Sequence, residues 1–256
     1  MAIYEPHPVF ELPDSAAAIW RYMSFSKFVA MLNTSALYFT VASKFEDKWE
    51  GTLPLKNKEK IDPKIISFFE QNRSTNAVNC WHQRDNESAT MWKSYTQGNE
   101  GIAIKSTVGR LTQSFRNVEG AITFNSRVHV GKVKYIDYAQ EVLNTTNGYI
   151  PLLCKRNFFV DEQEIRAVIG DGLLSEFFVQ GLPGINVPVD LNMLIDAIYV
   201  DPVAADWFFD LVKSIVNEQC AVSRSSIGEK PPLTTDGPPV RAYVAVKKAG
   251  KDWEIQ

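Results

Sequence analysis

Every apolar run in this chain is short, and β-like and helix-like segments follow one another without a regular beat. That irregular order constrains the fold more than any single motif does. "AAIWRYM" (17–23), "ALYFTVA" (36–42), "NAVNCWH" (76–82), "GIAIKST" (101–107) and "IDAIYVDP" (195–202) are rich in β-branched and aromatic residues and predict strands. "VHVGKVKYIDY" (128–138) and "EQEIRAVIG" (162–170) alternate and predict two more, and "GINVPVDL" (184–191) reads as an extended edge segment because of its proline. Helices are predicted from Ser24 or Ser26 to Leu32, and over 63–71, 87–97, 108–115, 150–159 and 204–220. The last of these carries a wide apolar stripe of Trp207, Phe208, Leu211, Val212, Ile215 and Val216, read as core.

A doubly wound sheet needs strand and helix to alternate, and they do not. The expected fold is therefore α+β: a mostly antiparallel mixed sheet flanked by short helices. Residues 1–16 read as an N-terminal arm, 17–222 as one domain, and 223–256 as a loosely ordered C-terminal segment with one strand at "RAYVAV" (241–246).

Composition excludes some roles. A net charge of −3 gives no basic footprint for nucleic acid, and no apolar run approaches the length of a membrane span. The first residues lack a basic stretch leading into an apolar one, so no secretory signal is expected. Cys80, Cys154 and Cys220 are odd in number and far apart, which favours free thiols, a cytoplasmic location and no metal site. No glycine-rich phosphate loop, GxSxG elbow or HExxH is present.

Polar residues in apolar settings supply the candidates. Arg21 and Tyr22 sit inside an apolar strand, where a guanidinium needs an anionic partner unless it faces solvent. "FEDKWEG" places Glu46, Asp47 and Glu50 around Trp49, as a binding turn or as a solvated acidic one. In "DEQEIR", Glu162, Glu164 and Arg166 leave one strand face at spacing two, as a functional trio or an ordinary charged surface. Cys80 and His82 share a face too, as a thiolate–imidazole pair or as core. Met91, Trp92 and Tyr95 share a helix face that must cover the sheet.

The blocks "WRYMSFSKFVAMLNTSALYFTVASKFEDKWEG", "VNCWHQRDNESATMWKSYTQGNEGIAIKST" and "CKRNFFVDEQEIRAVI" resemble the domain-of-unknown-function 2971 family, over about Trp20 to Ile169. The chain departs from that family's usual asparagine-aspartate-proline turn at "FEDKWEG". A second resemblance is to the ADP-ribosyltransferase fold, on Arg21, Tyr95 and the Glu162-Gln163-Glu164 pair in that order. It implies an NAD- or nucleotide-binding enzyme of toxin or defence type, with NAD as substrate. Glu164 would be the catalytic carboxylate and Glu162 would orient the acceptor. Arg21 and Tyr22 would bind the cofactor with Trp92 and Tyr95 stacking on it, and Arg166 would either join them or pair with Glu164. Two other readings stay open: a non-catalytic module binding a nucleotide or a protein partner, and a metal-dependent nucleic-acid-processing enzyme using Asp47, Glu50, Glu162 and Glu164.

Overall fold

The computed structural model describes residues 3–96, 98–115, 127–170, 181–217 and 220–228. Its strands are β1 (Ile3–Tyr4), β2 (Ala18–Ser24), β3 (Ala36–Val41), β4 (Asn76–Gln83), β5 (Gly101–Thr107), β6 (Arg127–Lys132), β7 (Lys134–Ile136), β8 (Cys154–Arg156), β9 (Glu164–Gly170), β10 (Gly184–Pro188), β11 (Ala197–Val200) and β12 (Ala221–Arg224). Its helices are α1 (Phe25–Thr34), α2 (Leu55–Lys58), α3 (Pro63–Thr75), α4 (Ala89–Tyr95), α5 (Val108–Ser114), α6 (Leu191–Leu194) and α7 (Asp206–Val216). Caps explain several boundaries. Asp62 accepts from the Lys64 amide ahead of Pro63, Ser88 from that of Met91 and Thr107 from that of Arg110, while Ser35 and Asn217 end α1 and α7 in the left-handed conformation.

Ten strands form one sheet in the order β1-β6-β9-β4-β2-β5-β11-β12, with β3 and β10 branching from β4. Pairing is antiparallel except for β1 with β6 and β11 with β12, so the expected α+β class with a mostly antiparallel sheet holds. The sheet forks at β4. One end of that strand meets Ile19 and Trp20 of β2, the other meets Thr40 and Val41 of β3. Inside the fork, side chains replace the ladder: Arg21 Nη1 donates to the Cys80 carbonyl at 2.8 Å, and Asn79 Nδ2 donates to that of Tyr38 at 2.9 Å.

Alternation sorts the side chains. Ile19, Met23, Trp81, Ile104 and Ile165 point to a large core closed by α1, α5, α6 and α7. On the opposite face, Trp20 and Tyr22 pack under Met91 and Trp92 of α4. Cys80, His82, Glu164 and Arg166 share that second face through the register His82↔Glu164 and Cys80↔Arg166. They are covered by the excursion from Val133 to Gln163 and by the turn after β3.

Four expectations need correction. Residues 150–159 do not form a helix: a 3₁₀ turn at Ile150–Leu153, strand β8 and a second 3₁₀ turn follow one another. Pro151 starts a turn, but pairing of β8 with β7 overrides further winding. The predicted strand 128–138 is divided at Val133, whose amide donates to the Glu164 carbonyl before the chain leaves β9 for β8. Glu162 lies on the second 3₁₀ turn rather than on β9, separated from it by Gln163 at φ 43°. In α7 only the row Phe208, Val212 and Val216 is buried; Trp207, one residue or about 100° round the helix, is 60% exposed. β12 crosses the expected boundary at 223, and "RAYVAV" lies outside the described residues. No described helix is long and apolar enough to cross a membrane.

Candidate functional site

A cavity of about 710 Å³ opens on the second face of the sheet. Its wall comes from four places in the sequence: the turn Phe45–Glu50, Cys80 on β4, Tyr95 at the end of α4, and Lys155, Arg156, Phe159, Glu162 and Glu164 around β8 and β9. Its size is that of a typical small-molecule site.

The floor is a buried ion cluster. Arg166 is 1% exposed and Glu164 2%, and they pair through two parallel contacts, Nε to Oε1 and Nη2 to Oε2, both 3.0 Å. Glu50 binds the same guanidinium from across the chain, and Arg166 Nη1 donates to the Leu152 carbonyl at 2.6 Å. Lys155 Nζ then reaches three carboxylates: Glu162 at 2.9 Å, Glu164 at 3.4 Å and Glu50 at 3.7 Å. The Glu164 amide donates to the Tyr135 hydroxyl at 2.8 Å.

Charge decides the protonation states. Burial pushes the Glu164 carboxyl up, but Arg166, Lys155 and their hydrogen bonds outweigh it and bring its pKa down to about 2. For Lys155 burial disfavours the charge, yet Glu164, Glu50 and Glu162 raise its pKa above the usual lysine value. Burial raises the Glu50 carboxyl, only partly offset by Arg166 and Lys155. Three carboxylates thus face two cations across the floor, and carboxylates are in excess.

Glu162 stands apart in this cluster. Tyr95 Oη donates to its Oε2 at 2.9 Å, and Lys155 reaches the same oxygen. Among the described residues Oε1 has no hydrogen-bond partner, and the residue lines the cavity. At the rim, Arg156 Nε donates to Asp47 at 2.9 Å and its guanidinium lies over the Phe159 ring at 5.4 Å, leaving both Nη groups without a hydrogen-bond partner among the described residues. Trp49 and Phe45 complete the aromatic wall.

Of the residues singled out from sequence, Tyr95, Glu162 and Glu164 line this cavity, and Arg166 lies beneath it as the cation that saturates Glu164. Tyr22 and Trp92 are buried in the apolar cluster under α4, where the Tyr22 hydroxyl accepts from the Ser88 amide and the Trp92 indole donates to Glu87. Arg21 leaves β2 on the opposite face and lines a different cavity. Cys80 is half-buried at the wall, and burial raises its thiol well above the usual range. His82 Nδ1 lies 2.9 Å from the Glu162 carbonyl, and burial lowers its pKa.

Lys155, Arg156, Phe159 and Tyr135 were not singled out from sequence. A lysine after the apolar "IPLLC" was the available signal, since a cation next to a buried run requires an acid. Asp47, Glu50, Glu162 and Glu164 do converge, but each is engaged by Arg156, Arg166 or Lys155. Among the described residues no group of side chains could hold a metal ion. No family model, curated protein or solved structure matches this chain.

Proposed function

We propose that the ion-floored cavity binds a nucleotide-type small molecule, NAD in the first instance, and that the protein breaks its nicotinamide–ribose bond. One observation carries this reading: Glu162 presents an uncommitted carboxylate oxygen to an aromatic-walled cavity in which carboxylates outnumber cations. Such a site favours a ligand with hydroxyls, a planar ring and a positive charge. NAD has all three, and its nicotinamide ring is cationic until the bond breaks. The phosphates would take the open Nη groups of Arg156 at the rim. The planar rings would lie against Phe159, Trp49 or Tyr95.

In the reaction, the ribose C1′–N bond breaks and its electron pair leaves on nicotinamide, which departs neutral. Positive charge develops on the ribose, as in glycoside cleavage, and the Glu162 carboxylate stabilises it. Water or an acceptor hydroxyl then bonds to C1′ and gives up its proton to solvent water. Glu164 acts here as a brace: its oxygens are taken by Arg166 and Lys155, so it holds the lysine that orients Glu162.

The test is incubation with NAD, reading nicotinamide release and ligand-induced thermal shift in wild type and in Glu162→Gln. Wild type should release nicotinamide, and the variant should lose about a hundredfold or more in rate while still binding. A shift without release would make the protein a binding module. Absence of both would remove NAD from this cavity.

A further inference from the structure

A second cavity, of about 430 Å³, lies under α1 where the sheet forks between β2 and β3. Arg21 reaches into it from the face opposite Tyr22 and Glu164. Its Nη1 is fixed on the Cys80 carbonyl, which orients the guanidinium and leaves the Nε–Nη2 edge uncommitted. Among the described residues, neither Nε nor Nη2 has a hydrogen-bond partner, and Arg21 forms no ion pair. The contrast with Arg166, saturated by two carboxylates and a carbonyl, is the informative one. Burial lowers the Arg21 pKa, and the Glu164 charge, which forms no ion pair with it, only partly opposes that.

The rest of the cavity is mostly apolar. Met23, Met31 and Leu37 are buried side chains on its wall, Thr34, Thr40 and Asn186 add polar groups, and exposed Ala30 and Lys27 of α1 line it as well, Lys27 as a second cation. Methionines adapt to irregular apolar shapes. The Nε–Nη2 edge of a guanidinium offers two parallel N–H groups, matched to the two oxygens of a carboxylate.

We propose that this cavity is a binding site for a small amphipathic carboxylate, with Arg21 Nε and Nη2 gripping the head group and Met23, Met31 and Leu37 covering the apolar tail. One half-buried guanidinium suits a single negative charge. A phosphate monoester would bring a second charge, which among the lining residues only exposed Lys27 is there to meet. This site is separate from the NAD reading and does not depend on it.

The experiment is calorimetric titration of the full chain with octanoate, octanol and octyl phosphate. Octanoate should bind at least about tenfold more tightly than octanol, the range expected for charge-assisted hydrogen bonds. Octyl phosphate should bind no more tightly than octanoate. Arg21→Met should abolish the preference for octanoate over octanol. Because that variant also loses the bond to Cys80, Ala30→Trp serves as the second test. It adds bulk to the cavity lining from an exposed helix position and should weaken octanoate at least about tenfold without altering unfolding of the free protein. Glu162→Gln should leave octanoate binding unchanged. The proposal is overturned if octanoate gives no binding up to about 5 mM, or binds like octanol. It is overturned equally if octyl phosphate binds more tightly, or if octanoate binding survives Ala30→Trp.

Discussion

Replacing Glu164 by glutamine removes one charge and almost no volume, so it isolates the electrostatic role of the floor. In the folded protein the carboxyl has a pKa of about 2, against an ordinary value of 4.5. The depressed value means that folding favours the ionised form. The stabilisation is therefore fully present above about pH 4.5 and is lost as pH falls toward 2. The depressed pKa corresponds to about 3 kcal/mol at pH 7, falling to about 1 kcal/mol at pH 3. Breaking one partner of a buried pair costs about 3–5 kcal/mol by an independent route, so the two figures agree in size. Urea unfolding of wild type and Glu164→Gln at pH 7 and pH 3 measures the difference. Glu50 titrates in the opposite sense, since burial and the neighbouring Glu164 charge raise its carboxyl; removing that charge lets Glu50 ionise more readily on Arg166, so the figure for Glu164→Gln is an upper one. A penalty below about 1 kcal/mol at pH 7, or one that does not shrink at pH 3, would show that Glu164 is not held ionised by Arg166 and Lys155.

Three further outcomes check other parts of the structure. Phe208→Ala should cost about 3–4 kcal/mol in urea unfolding and Trp207→Lys less than about 1, because only the first faces the core; the reverse ranking would mean α7 is turned the other way. Gln163→Val should cost about 1–2 kcal/mol and Gln163→Gly should not, since a β-branched residue is strained at φ 43°. Iodoacetamide should modify Cys80 at least about tenfold more slowly in the folded protein than in urea at pH 7.5, because the raised pKa of this half-buried thiol keeps it protonated. Faster modification in the folded state would revive a nucleophilic pairing with His82.

Much of the architecture was legible because local patterns and tertiary demands agree. "ALYFTVA" and "GIAIKST" are strands on any scale, and Pro63 after Asp62 marks a helix start without help from the rest of the chain. The segment 150–159 misled because its residues suit a helix, while Cys154 and Lys155 are claimed by β7, some twenty residues earlier. The stripe on α7 misled differently. Six apolar residues in two adjacent rows predict a wide buried face, and hydrophobicity alone does not say that Trp207, Leu211 and Ile215 fall at the solvent edge.

The site was legible in its members but not in its grouping. "EQEIR" drew attention to Glu162, Glu164 and Arg166, and all three meet at the cavity or under it. Spacing two implied three equal side chains on one strand face, whereas the left-handed turn at Gln163 takes Glu162 off the strand. That single backbone dihedral separates a carboxylate that faces ligand from one committed to Arg166. Arg21 failed for the complementary reason. Period two places it opposite Tyr22 once β2 is a strand, so the two could never have served one pocket from neighbouring positions. The constraint was present in the sequence. What sequence could not supply was the fork in the sheet, which gives Arg21 a cavity of its own and leaves its guanidinium without an acid.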